Sequence, residues 1–108
     1  MKFEFNKKEP FKENIYNLMR KAGYIFLAEN KESKEMNFIR PLVKGGYPRF
    51  HIYCKTTNQI ENETLFFNLH LDQKRPIYQG TTAHSGDYEG EVVEEEANRV
   101  KLFFLKYA

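Results

Sequence analysis

Three histidines, one cysteine and two stretches of alternating residues carry most of the chemistry open to this chain. Over residues 49–55, Arg49, His51, Tyr53 and Lys55 alternate with Phe50, Ile52 and Cys54. Over residues 65–72, Phe66, Asn68, His70 and Asp72 alternate with Leu65, Phe67, Leu69 and Leu71. Successive side chains of a strand point to opposite faces, so two strands here would bury one apolar face and gather the polar residues on the other. Imidazole, carboxylate and guanidinium together can accept a proton, donate one and neutralise an anion, which are the roles that phosphodiester cleavage needs. His51, His70, Asp72 and Arg49 are therefore the candidate catalytic residues. His51 and His70 would act as acid and base, Asp72 would orient an imidazole, and Arg49 or Lys74 would hold anionic charge.

His70 and Asp72 lie two apart and share a face, so the carboxylate can fix the tautomer of the ring. With His84 folded back from a later loop, and His51 beside them, the set His70, Asp72 and His84 is a candidate imidazole–carboxylate site for a divalent metal. The same face suits single-stranded nucleic acid. Tyr53, Phe66 and Tyr78 would stack bases, Arg49, Lys55, Lys74 and Arg75 would meet phosphates, and Asn68 would add a polar contact. Arg40 and Lys44 extend the basic flank. A solvated amphipathic strand pair with no chemistry is the competing reading. Ser85 beside His84 and Asp87 lacks the spacing of a nucleophilic triad, and Gly45-Gly46 precedes Tyr47-Pro48, which marks a turn and not a phosphate loop.

The elements that would position these residues follow from periodicity. Phe11, Ile15, Leu18 and Ala22, with Met19 beside them, form one stripe of a helix over 10–22, opened by Pro10 and stopped by Gly23. Short strands are expected over 24–28 and 36–43, the second at an edge or bulged because Pro41 cannot donate to a ladder. Its inward set is either Ile39 and Val43 or Phe38 and Leu42. Longer strands over 49–56 and 64–72 form an antiparallel hairpin. A residue-number sum of 121 would pair His51 with His70 and Arg49 with Asp72, and a sum of 119 would pair Arg49 with His70. The stretch 73–90 lacks periodicity and reads as a long functional loop that hides at most a short element such as 77–79. A last helix over 92–107 carries Val93, Ala97, Val100, Phe104 and Tyr107 on one stripe, with Glu95 placed to pair with Arg99.

These elements predict a two-layer α+β fold in one domain, residues 1–108. It has a mostly antiparallel four-stranded sheet with the N- and C-terminal helices on one face, in the order α-β-β-β-β-α, with residues 3–5 as a candidate extra edge strand. The other sheet face would be solvated. That order resembles the double-stranded-RNA-binding-like topology, which includes the small HicA-type toxin RNases. The resemblance is one of topology and covers most of the chain. It implies nucleic-acid association and carries no residue over.

Composition sets bounds. With 108 residues, 41% hydrophobic and 30% charged, the chain has a globular balance, and 16% aromatic residues favour a compact strand-rich core. A net charge of +2 does not by itself require a polyanionic partner. No apolar run reaches the length of a membrane span, and a lone Cys54 fits a reducing compartment, so the expected location is the cytoplasm with no membrane partner. The leading expectation is an RNA-associated domain using the polar sheet face and the 73–90 loop. The rivals are a His-based or metal-dependent phosphodiesterase and a protein-interaction module.

Overall fold

The computed structural model describes residues 1–59, 62–73, 86–87 and 90–108. The elements run β1 (Lys2–Lys7), α1 (Ile15–Lys21), β2 (Ile25–Glu29), β3 (Met36–Pro41), β4 (Arg49–Gln59), β5 (Asn62–Asp72), β6 (Gly86–Asp87) and α2 (Glu91–Tyr107). The fold is α+β with an antiparallel sheet in the order β1-β5-β4-β3-β2, and the two-residue β6 also pairs with β5. The expected four-stranded α-β-β-β-β-α order is thus corrected. A full strand precedes α1, and Lys2-Phe3-Glu4-Phe5 lies along β5 with Phe3 opposite Phe67 and Phe5 opposite Leu65. Among the described residues of the long loop stretch, Gly86–Asp87 forms a short strand paired with Leu71 and Asp72. Residues 77–79 lie outside the described residues.

Both helices pack on one face of this sheet. Leu18, Met19 and Ala22 of the first helical segment join Val93, Ala97, Val100 and Phe104 of α2 over Phe38, Phe50, Ile52, Cys54, Leu65, Phe67, Leu69 and Leu71. The alternation in β4 and β5 is thus the pattern that buries one face. Phe67 stacks on Phe3 and meets Phe104 edge-on, which ties the edge strand and α2 to the centre. Tyr107 closes the predicted stripe but is exposed.

α1 is shorter than its apolar spacing suggested. Asn14 caps it, accepting from Asn17 N–H at 2.8 Å. Upstream, the Phe11 N–H donates to Glu63 and the Lys12 N–H to the Ala108 carbonyl, so tertiary partners hold this segment and the helix begins after Asn14. The stop is the one expected. Gly23 has φ 101°, its N–H returns to Arg20, and the Tyr24 N–H returns to Met19, which is a Schellman closure.

β3 is an interior strand between β4 and β2, not the edge strand that was one of the two expectations from Pro41; the other, a bulge, has its counterpart in the pairing with β2, whose register shifts between Phe26 and Ala28. Pairing with β2 ends at Ile25 opposite Ile39, so no neighbour asks Pro41 for a hydrogen bond. Neither expected inward set holds whole, since Ile39 is buried beside His51 and Leu42 and Val43 are exposed; of the four, only Phe38 points into the core under the helices. Arg40 shares that face, over Phe50 and against α2, and leaves the polar surface to which its charge had assigned it. β4 and β5 also run further than expected, paired out to Gln59 opposite Asn62 through the stretch taken as a connection.

Candidate metal centre on the β4–β5 hairpin

The hairpin adopts the register in which residue numbers sum to 121. His51 faces His70, Arg49 faces Asp72, and Tyr53 faces Asn68. Burial of Ile52, Leu69 and their neighbours excludes a slip by one residue, which would turn the core outward, and the observed ladder takes the sum of 121 over the equally buried 119. His51 and His70 have ring centroids 4.7 Å apart, and His51 also stacks on Tyr53 at 4.6 Å.

Asp72 is the hub. Its Oδ2 accepts from Arg49 Nε at 3.2 Å and lies 3.3 Å from His51 Nδ1, while its Oδ1 lies 3.0 Å from His70 Nε2. Asp72 therefore orients both imidazoles and not one. Arg49 stays beside it and covers the Tyr47 ring at 4.6 Å. On the far side of His51, Nε2 meets the Asn37 side-chain amide. Sequence reasoning missed Asn37. It lies opposite Tyr53 and so projects from the same face as His51, but that requires the β3 register, which periodicity left open.

The polar face is not solvated at its centre, as had been expected. His51 is only 8% exposed and His70 6%. Ile39 lies opposite His51 and is itself buried, so apolar material reaches this face too. Burial is the main reason that both imidazoles titrate below the ordinary 6.5. For His51 the neighbouring His70 adds to the lowering, and for both rings Asp72 opposes it. Near pH 7 the two rings are thus neutral. A carboxylate only accepts, so each ring turns an N–H toward Asp72.

That arrangement is also a ligand set. One atom each from His51, His70 and Asp72 lies within 4.8 Å of the other two. Two neutral imidazoles and a carboxylate suit zinc or another first-row divalent ion, and three protein ligands leave coordination positions for water or substrate. Among the described residues His51, which the sequence reading had set beside His70 and Asp72, completes the group. His84, with Lys74, Arg75 and Tyr78, lies outside the described residues.

Next to the cluster on the same face opens a cleft of about 610 Å3, lined by Lys2, Glu4, Glu35, Tyr53, Lys55, Phe66 and Asn68 among others. Tyr53, Lys55, Phe66 and Asn68 were expected on this surface, and Phe66 is 44% exposed. The lining contributed by β1 and by Glu35 was not expected. Among the described residues the lining of the cleft is charge-balanced, with Lys2 and Lys55 against Glu4 and Glu35.

A second polar cluster lies between α2 and the sheet. Glu96, 4% exposed, accepts from Tyr24 Oη at 2.6 Å, from Arg99 Nε at 2.7 Å and from Arg40 Nη1 at 3.3 Å. Arg99 pairs with Glu96 and not with Glu95, and it also donates to the Ala22 carbonyl at 2.7 Å. The signal was present. Glu96 falls three after Val93 and four before Val100, on the apolar stripe. This cluster satisfies its members internally and fastens α2 to β3 and to the end of α1. Cys54 is buried on the apolar face, where desolvation pushes its thiol up to about 12, so it is not a nucleophile. No helix among the described residues is long and apolar enough to cross a membrane. No family model, curated protein or solved structure matches the chain, so its chemistry must be argued from these side chains.

Proposed function

We propose that this chain is a divalent-metal-dependent phosphodiesterase acting on single-stranded nucleic acid or a nucleotide derived from it. The observation that carries the reading is the convergence of His51, His70 and Asp72 to within 4.8 Å beside Arg49. An acid–base mechanism without metal fits less well. The two rings lie against each other and both turn toward Asp72, whereas an acid and a base must flank the scissile phosphate.

The chain's own residues would divide the work as follows. His51, His70 and Asp72 would hold the ion, which when bound would supply Lewis acidity and a water of lowered pKa. Arg49 steadies the Asp72 carboxylate and offers its remaining N–H groups to a phosphate oxygen. Water adds at phosphorus, the bond to the leaving alcohol breaks, and the proton from water ends on that alcohol. The buried walls of the site keep bulk water from competing for the ligands.

Binding without hydrolysis is the second reading, and the exposed Phe66 beside Tyr53 favours it. One experiment separates the two. Protein purified without chelator is analysed for bound metal, stripped, reloaded with zinc or manganese, and given bis(p-nitrophenyl) phosphate and labelled single-stranded RNA. The proposal expects close to one ion per chain and metal-dependent turnover lost in His70→Ala. No bound metal and no turnover with any divalent ion would leave only binding.

A further inference from the structure

We propose that Asn37 is the positioning residue of the metal centre: its side-chain oxygen takes the one N–H that a ligating His51 keeps, and so commits Nδ1 of that ring to the ion. This rests on the metal-binding part of the reading above and does not depend on hydrolysis.

His51 stands between two oxygens. Its Nδ1 lies 3.3 Å from Asp72 Oδ2, and its Nε2 meets Asn37 Oδ1. A neutral imidazole has one N–H and one lone pair, and an oxygen acceptor can use only the N–H. With the N–H toward Asp72, as in the metal-free protein, Nε2 turns a lone pair to the Asn37 oxygen, and that contact is mismatched. With an ion between Nδ1 and Asp72, every group is matched. Nδ1 and the carboxylate both give lone pairs to the cation. The ring stays neutral, its proton moves from Nδ1 to Nε2, and Nε2–H donates to Asn37. The Asn37 amide is thus turned for the ion-bound ring. Metal-ligating histidines hold their second N–H against a carbonyl or carboxylate oxygen for the same reason, since that bond fixes the tautomer and makes the ligating nitrogen more basic.

The spacing fits the same state. Two ligand atoms on one tetrahedral zinc, each about 2.0–2.2 Å from it, stand roughly 3.3–3.6 Å apart. His51 Nδ1 and Asp72 Oδ2 are separated by 3.3 Å.

The ring's other described neighbours do not choose between its nitrogens. Tyr53 stacks on His51 with 24° between the planes, which fixes the plane of the ring and not the site of its proton. Asn37 does choose, and it is held to the task. It lies on the interior strand β3, opposite Tyr53 on β4 and Ala28 on β2, so its backbone is paired on both sides.

The test titrates zinc into stripped wild type, Asn37→Leu and Asn37→Asp against a competing chelator, with melting temperature as the folding control. Leucine keeps the volume and removes the acceptor, whereas aspartate keeps the acceptor. Zinc affinity should fall about ten- to a hundredfold in Asn37→Leu, the usual loss when the outer partner of a metal ligand is removed. Asn37→Asp should match wild type or exceed it. Added negative charge would also favour zinc, so nitrogen NMR of the imidazoles supplies a second readout. In zinc-loaded wild type and Asn37→Asp, His51 should carry zinc on Nδ1 and its proton on Nε2. Zinc on His51 Nε2 overturns the proposal, and so does equal affinity in wild type and a folded Asn37→Leu. If Asn37→Leu does not fold, the NMR of wild type and Asn37→Asp decides. A wild type that binds zinc but hydrolyses no ester removes only the phosphodiesterase reading. A wild type that binds no zinc removes the metal centre and this proposal together.

Discussion

His51 on β4 stands directly across from His70 on β5, and one carboxylate, Asp72, serves both rings. A side chain that supports two imidazoles and a guanidinium cannot be replaced without consequences for all of them. Asp72→Ala should lower stability by about 1.5–3 kcal/mol, the cost of hydrogen bonds to a charged group in a partly buried site, as read by urea denaturation. The same variant should lose bound metal altogether. An Asp72→Ala protein that keeps stoichiometric zinc would remove Asp72 from the ligand set.

Acid should weaken the metal-free protein. Burial holds both imidazoles below their ordinary 6.5, so the unfolded chain binds protons more readily than the folded one as pH falls through that value. The contribution of the neutral rings is complete above about 6.5 and is lost progressively below it, down to the lower pKa values of the folded state. Denaturation in the presence of chelator at pH 7.5, 6.5 and 5.5 should show this decline, and replacing either histidine by a neutral residue should flatten it. A curve as steep in the double replacement His51→Gln, His70→Gln as in wild type would assign the pH dependence to other groups.

Chelation supplies an independent check. Metal bound to the native state alone stabilises by mass action, so an ion present at a hundred times its dissociation constant adds about 2.7 kcal/mol. Stripping the protein should lower its melting temperature by several degrees, and zinc should restore it. His70→Ala should show no such difference between stripped and zinc-supplemented samples.

Glu96 should matter for folding and not for metal. Glu96→Ala leaves the Tyr24 hydroxyl without its acceptor, while Arg40 and Arg99, each about a third exposed, can turn to water. The expected cost is roughly 2–4 kcal/mol, less than for a pair buried on both sides. Metal stoichiometry in the folded fraction should not change. Gly23→Ala should act through the same region, because φ 101° strains any side chain there and the added Cβ would stand 3.2 Å from Arg40 Nε.

Cys54 should be silent in the native state. With its thiol pushed up to about 12 inside the core, it should resist a disulfide reagent at pH 8 and react only as the protein opens. Rapid labelling without denaturant would mean that the apolar side of β4 is exposed.

The amino-acid sequence by itself determined the two long strands, their apolar face and the imidazoles projecting together from the other. Period-two alternation is local, and it survives into the fold because the core must be buried on one side. Helical spacing likewise placed the stripes of Val93, Ala97 and Val100 and of Leu18 and Ala22. Tertiary structure decided the rest. Residues 3–5 read only as a candidate edge strand, and pairing with β5 extends them to a full strand over Lys2–Lys7. Pro41 looks like an edge residue until its neighbour strand is seen to stop short of it. Asn37, Lys2 and Glu4 enter the site only through registers between strands far apart in the chain, where hydrogen-bonded pairing and not local preference sets which side chains meet. The burial of His51 and His70 belongs to the same class. Alternation says which way a side chain points, and only the assembled molecule says whether water is there to receive it.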